Sequence, residues 1–231
     1  MSTAALVLAA GRGERLGAGL PKAFVPLAGV PLVVRALAAL AAAPEVDRVV
    51  PVVPRGGRER WAALEGALRG IPKLAEAVEG GAERQDSVRA GLACLPAGVT
   101  LVAVHDAARA LVRPQDVSRV VAAARRYGAA LLAVRARDTI KRVRDGLVVG
   151  TPPRAECWVA QTPQVFRAEL LREALAKAEA EGFVGTDDAQ LVERLGVPVH
   201  VVEGHPSNVK ITEPGDLAAA EAWLAARGEP A

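Results

Sequence analysis

The chain has 231 residues, enough to bury a core as one domain, and its 29 Lys plus Arg against 26 Asp plus Glu leave a formal charge of only +3. That balance argues against a dedicated nucleic-acid binder, and aromatics at 3% leave few platforms on which single-stranded bases could stack. Apolar runs such as 36–43 fall far short of the roughly 20 residues of a membrane span, and the Met1-Ser2-Thr3 start lacks the charged region of a signal peptide, so a cytoplasmic protein is expected.

Strand-length apolar runs alternate with amphipathic stretches along the chain. The first run, 4–9, reads as a buried strand, and 31–43 as a helix with Pro31 in its first turn. A strand over 49–53 precedes a helix over 58–68; a third strand, 74–78, runs into Gly80-Gly81 and a helix over 83–95. The fourth strand, 101–104, ends in His105-Asp106, followed by a helix over 114–127 and a strand over 129–134. A helix over 168–181, a strand over 197–202 and a helix over 214–226 complete the series. Unbroken apolar strands alternating with helices predict an α/β, doubly wound, mostly parallel sheet covered on both faces. Ligands in such sheets bind beyond the carboxyl ends of strands, where Gly11, Gly80 and Asp106 fall.

One segment departs from this rhythm. Apolar-polar runs at 139–143 and 147–149 flank Asp145-Gly146, the signature of a hairpin with a tight turn. Two strands alone are marginal in water, so this protruding arm, 136–157, is expected to pack on a second subunit and make a homodimer; the alternative is a hairpin folded on its own domain. The remainder of 1–231 is expected to form a single domain. Cys94 and Cys157 lie far apart without a CxxC pattern, and His105, His200 and His205 show no metal-ligand spacing, so neither a disulfide framework nor a structural zinc is expected.

The junction after the first strand carries most of the chemical signal. In Ala9-Ala10-Gly11-Arg12-Gly13-Glu14-Arg15, glycines allow backbone N–H groups to approach a phosphate, and Arg12, Arg15 and Lys22 supply cations suited to a triphosphate. Leu16 stands where a dinucleotide-binding GxGxxG has its third glycine, and the segment ending in Lys22 lacks the Walker A glycine-lysine-Ser/Thr, so neither standard motif fits. A tight turn with solvated charges is the bland alternative. Gly80-Gly81-Ala82-Glu83, with Ser87 nearby, opens a helix where backbone donors and a hydroxyl could meet an anion or a base; it could equally be a capped helix only. Asp106, at a strand end, can cap a turn, hold substrate hydroxyls or offer a hard oxygen to Mg²⁺, and Arg109 is within reach of a phosphate.

Taken in order, the motifs resemble one family. The A-A-G-x-G-x-R run followed by Lys22 is similar to the signature of the glycosyltransferase-A-like nucleotidyltransferases, and Gly80-Gly81-x-x-Arg84-x-x-Ser87-Val88 to the cytidylyltransferase branch. His105-Asp106-Ala107-Ala108-Arg109, the arm Arg137 to Arg142, Thr162-Pro163-Gln164-Val165-Phe166, Gly185-Thr186-Asp187-Asp188 and Asn208-Val209-Lys210-Ile211-Thr212 resemble the methylerythritol-phosphate cytidylyltransferase family across nearly the whole chain. Ala110 stands where that family usually has proline, and Thr151-Pro152-Pro153 ahead of Arg154 differs from its usual sequence.

The resemblance implies CTP and a polyol phosphate as substrates and Mg²⁺ as cofactor. It implies that backbone groups at Ala9, Ala10, Gly11 and Gly13 hold the nucleotide, and that Gly81, Ala82 and Ser87 read the cytosine. Arg15 and Lys22 would stabilise the transition state, Arg154 and Lys210 would position the attacking phosphate, and Asp106 and Arg109 would organise the polyol, its phosphate or the metal. Thr139, Thr162 and Thr186 are further expected substrate contacts. A ribitol-5-phosphate cytidylyltransferase and, from another class, a nicotinamide-dependent oxidoreductase on a Rossmann sheet are the alternatives; Leu16 and the Arg12, Arg15, Lys22 cluster speak against the second.

Overall fold

Successive residues of a strand face opposite sides of a sheet, so a continuous apolar run feeds two cores at once. In the computed structural model, which describes residues 2–11 and 20–228, the elements in chain order are β1 (Ser2–Leu8), β2 (Pro26–Leu27), β3 (Val30–Pro31), α1 (Leu32–Ala42), β4 (Arg48–Val53), α2 (Arg58–Ala62), α3 (Glu65–Leu68), β5 (Val78–Glu79) and α4 (Arg84–Ala93). There follow β6 (Val99–Asp106), α5 (Pro114–Tyr127), β7 (Ala129–Arg135), β8 (Arg142–Arg144), β9 (Leu147–Gly150), β10 (Trp158–Arg167), α6 (Ala168–Ala180), α7 (Asp188–Glu193), β11 (His200–Glu203) and α8 (Pro214–Ala226). Ala5 and Val7 of β1 pack with Leu37 of α1 and Val121 of α5 on one face. Ala4 and Leu6 pack with Val88 of α4 and Leu171 of α6 on the other.

The central sheet has seven strands in the order β11-β7-β10-β6-β1-β4-β5. All pair in parallel except β10, which lies antiparallel between β6 and β7. The α/β, mostly parallel sheet with a projecting hairpin is therefore as the sequence predicts. β10 is the strand that periodicity does not reveal: Gln161, Thr162 and Gln164 interrupt its apolar pattern, Pro163 brings no N–H to the ladder, and the register shifts between Ala160 and Gln164.

Other boundaries move for physical reasons. The expected helix over 58–68 is two short helices, neither burying a residue, because that segment has no deep apolar face to anchor it. The third strand is only Val78–Glu79, preceded by a lone bridge from Leu74 to Val49. The last strand begins at His200, beyond Pro198, which cannot donate to a ladder. No helix among the described residues is long and apolar enough to cross a membrane.

Candidate active site

Parallel strands end together, and the loops leaving them build the site. The register sets Leu8 of β1 against Asp106 of β6. The first loop stays attached to the sheet through Ala9 N–H to Val52 O, 2.8 Å, and the third through Gly80 N–H to Val53 O, 2.8 Å. Both glycines of that third loop are required by crowding. A Cβ on Gly80 would lie 2.5 Å from Ser87 Oγ and 2.8 Å from the Ala10 Cβ, and one on Gly81 would lie 2.1 Å from the Asp86 Cβ. The start of α4 is fixed by a capping box between Glu83 and Asp86, and by Gly81 N–H donating to Ser87 Oγ at 3.1 Å. Ser87 is buried, and its hydroxyl also donates to Glu83 O at 3.3 Å. The segment is thus a capped helix, and Gly81, Ala82 and Ser87 at its start also line a cleft.

That cleft is also lined by Ala9, Ala10, Gly11, Lys22, Arg84, Asp106 and Lys210. A second, more polar cleft adjoins it, lined by Arg109, Gln161, Thr162, Gln164, Thr186 and Asp187, and the two share Arg84, Asp106 and Lys210. The shared wall is a chain of alternating charges. Lys210 Nζ lies 2.7 Å from Asp106 Oδ2, Arg84 Nε 3.2 Å from Asp106 Oδ1, and Arg84 Nη1 2.8 Å from Asp188 Oδ2. Burial by itself pushes the Asp106 carboxyl up, but the Arg84 and Lys210 cations outweigh it and hold the group well below the usual carboxylate range. Asp188 goes the other way: burial, with Asp106 and Asp187 close by, raises its pKa despite Arg84.

Behind this wall, Asp106 N–H donates to Thr162 Oγ1 at 3.0 Å, and that oxygen lies 3.0 Å from His105 Nδ1. His105 Nε2 faces Arg109 O at 3.2 Å, so the ring donates from Nε2 and accepts the Thr162 hydroxyl at Nδ1. Burial drives the His105 pKa down to about 4, leaving a neutral imidazole with both nitrogens occupied. Arg109 is pinned by Asn208 O at 2.8 Å and Ala160 O at 3.0 Å, while its Nε has no hydrogen-bond partner among the described residues. Asp187 caps α7 by accepting from Gln190 N–H at 2.9 Å and receives Gln164 Nε2 at 2.8 Å. Asn208 Nδ2 donates to Thr162 O at 2.9 Å, tying the segment of Lys210 to β10.

Among the residues expected from sequence, the structure brings together Ala9, Ala10, Gly11, Lys22, Gly81, Ala82, Ser87, Asp106, Arg109, Thr162, Thr186 and Lys210. Gly13 and Arg15 lie outside the described residues. Thr139 and Arg154 are on the arm, exposed, and line neither cleft; Arg154 Nη1 donates to Arg137 O at 3.3 Å. Sequence reasoning overlooked Arg84, Asp187, Asp188 and Gln164. All four stand inside the motifs named above, yet only their partners across the fold reveal a role.

The donor set tests the implied metal. No group of three His, Cys, Asp or Glu among the described residues could hold an ion, and both Asp106 oxygens already face cations. A Mg²⁺ ion would therefore draw most of its oxygens from a bound polyphosphate, with Asp106 as the carboxylate available from either cleft.

The chain is similar to known proteins over nearly its full length. The family model 2-C-methyl-D-erythritol 4-phosphate cytidylyltransferase (IspD) matches residues 3–226. A protein of that description from Symbiobacterium thermophilum is 47% identical over 220 residues, covering 95% of this chain and 91% of the relative. Another from Geobacillus kaustophilus is 47% identical over 227 residues, covering 98% and 99%. Among solved structures, the enzyme of the same description from Thermus thermophilus superposes with a TM-score of 0.79 at 37% identity, covering 97% of this chain and all of that one (100%).

Proposed function

Because the chain belongs to the 2-C-methyl-D-erythritol 4-phosphate cytidylyltransferase family, and so transfers the cytidylyl group of CTP to 2-C-methyl-D-erythritol 4-phosphate, we propose that its two clefts divide the substrates. The products are 4-diphosphocytidyl-2-C-methyl-D-erythritol, an intermediate of non-mevalonate isoprenoid biosynthesis, and pyrophosphate. CTP occupies the glycine-lined cleft, with Gly81, Ala82 and Ser87 toward the base and Ala9, Ala10 and Gly11 toward the phosphates. The polyol phosphate occupies the polar cleft of Arg109, Thr162 and Thr186. Asp106 and Lys210, on the shared wall, reach both.

The chemistry needs little from an acid or base. A phosphate monoester has a second pKa of about 6, so at neutral pH its oxygen attacks the α-phosphorus of CTP without losing a proton. The bond to the bridging oxygen of pyrophosphate breaks, and negative charge accumulates on the leaving group. Positioning and charge neutralisation remain as the protein's tasks. The observation that carries the reading is the wall itself: cations converge on both clefts, and the nearby His105 is neutral with its nitrogens occupied, hence unfit as a base. Lys22, with Arg15, stabilises the α-phosphate and leaving pyrophosphate; Lys210, with Arg154, aligns the acceptor phosphate; Asp106 contacts hydroxyls or Mg²⁺. When bound, Mg²⁺ neutralises polyphosphate charge. Pyrophosphate release measured with methylerythritol phosphate or ribitol 5-phosphate as acceptor, across CTP, ATP, GTP and UTP, tests the assignment. Strong preference for CTP with methylerythritol phosphate is expected, and equal turnover with ribitol 5-phosphate would defeat it.

Arg154 requires a second copy of the chain. Val143, Leu147, Val148 and Val149 of the arm are 58%, 71%, 60% and 50% exposed, an apolar ribbon that another subunit would cover. The reading is a homodimer in which each arm extends Arg154 and Thr139 toward its partner's polar cleft, in the cytoplasm, where both charged substrates reside. A stable monomer in sedimentation at micromolar concentration would contradict it.

A further inference from the structure

Arg84 joins three elements at the wall between the clefts. It leaves the first turn of α4, places Nε 3.2 Å from Asp106 Oδ1 at the end of β6, and places Nη1 2.8 Å from Asp188 Oδ2 in the first turn of α7. Both ends of this bridge are anchored independently. The α4 start is held by its capping box, with Glu83 N–H to Asp86 Oδ2 at 3.1 Å, and the α7 start by the Asp187 cap and by Ala189 N–H donating to Gln164 Oε1 at 2.9 Å.

Asp188 is the informative partner. It is fully buried and lines neither cleft, so it is not placed to touch a substrate. A buried carboxylate is costly unless it is paired, and the cation paired with this one is Arg84. Asp106, by contrast, faces both clefts and has a second cation, Lys210, on its other oxygen. With Arg84 removed, Lys210 is the ion-pair partner left to Asp106 among the described residues, and the carboxylate would be free to turn both oxygens to it, drawing that ammonium away from an acceptor phosphate. A planar guanidinium carries its N–H groups in a fixed fork, so one side chain holds two carboxylates on different elements at set angles, whereas an ammonium is a compact point charge that imposes no such geometry.

We propose that Arg84 is a positioning residue for cytidylyl transfer, fixing the orientation of Asp106 between the two substrates, and that the buried Asp188 serves to hold Arg84. The proposal rests on the reading that Asp106 contacts substrate or its metal. Kinetics of Arg84→Gln, Asp106→Asn and the double variant, with thermal midpoints recorded beside them, test both statements separately. Arg84→Gln is expected to lower kcat/KM roughly tenfold or more, and to change it less than about twofold in the Asp106→Asn background. Equal losses in the two backgrounds would overturn the positioning role, because a purely structural Arg84 adds its cost regardless of Asp106. Wild-type kinetics for Asp106→Asn would overturn the site assignment and this inference together. Arg84→Lys, which keeps the charge, is the folded alternative if the glutamine variant does not express; it is expected to remain impaired, and full activity would refute the need for a fork. Asp188→Asn should reproduce much of the Arg84→Gln loss and add little to it, and unchanged kcat/KM would remove Asp188 from the scheme.

Discussion

In the wall between the clefts, Asp106 of β6, Arg84 of α4, Asp188 of α7 and Lys210 of the segment before α8 face one another as alternating charges; α4 and α7 are capped, and the Lys210 segment is tied to the sheet through Asn208 and Thr162. On the arm, β8 and β9 pair only with each other among the described residues, and Lys141, Arg142, Arg144 and Arg154 stand exposed beside apolar side chains. Lys141 finds the Thr151 hydroxyl at 2.9 Å and Arg154 the Arg137 carbonyl, both partners on the arm itself. The wall is preorganised by one chain, whereas the arm's shape is local and, on the proposed homodimer, its function depends on where it is delivered. Substitutions in the wall should therefore affect catalysis and folding of the single chain, and those on the arm should affect binding between chains.

The largest expected effect is on the nucleotide side. Lys22→Ala should lower kcat by roughly 10²–10³, since a charge interaction strengthened in the transition state is lost. If only the KM for CTP rose, Lys22 would be a ground-state contact and the division of roles would fail.

Next is the pH dependence of the buried wall. His105 titrates near 6.5 when unfolded and near 4 in the fold, so between those values the unfolded chain binds a proton that the native chain does not. Stability contributed by neutral His105 is complete above pH 6.5 and is lost as pH falls toward 4, on the order of 3 kcal/mol. Urea midpoints of the parent and His105→Gln, compared at each pH, should converge over that window. Parallel curves would mean that His105 is not held neutral by burial.

The smallest effect, and the sharpest for the comparison, concerns Arg154. Arg154→Ala should raise the KM of the acceptor about tenfold while leaving that of CTP nearly unchanged. Co-expressing Arg154→Ala with Lys22→Ala should recover activity, because a mixed dimer has one cleft with both residues intact. A mixture no better than its parents would place Arg154 in service of its own chain.

Several features were legible along the chain because they are local. The strand–helix alternation follows from apolar periodicity, and the hairpin turn from Asp145-Gly146, which adopts φ 49° and 78° as such a turn demands. The glycines after the first strand and Asp106 stand out because strand ends and the family resemblance both mark them, and Lys210 because the resemblance does. β10 and the Arg84–Asp188 pair were not legible. A polar strand held between two apolar neighbours needs no apolar pattern of its own, and charges separated by half the chain meet only after the sheet has ordered its strands. Local chemistry determined which loops could bind phosphate. The antiparallel insertion of β10 decided that Thr162, Gln164 and Asp187 would form a second cleft beside the first, because only strand order sets which loop ends become neighbours in space.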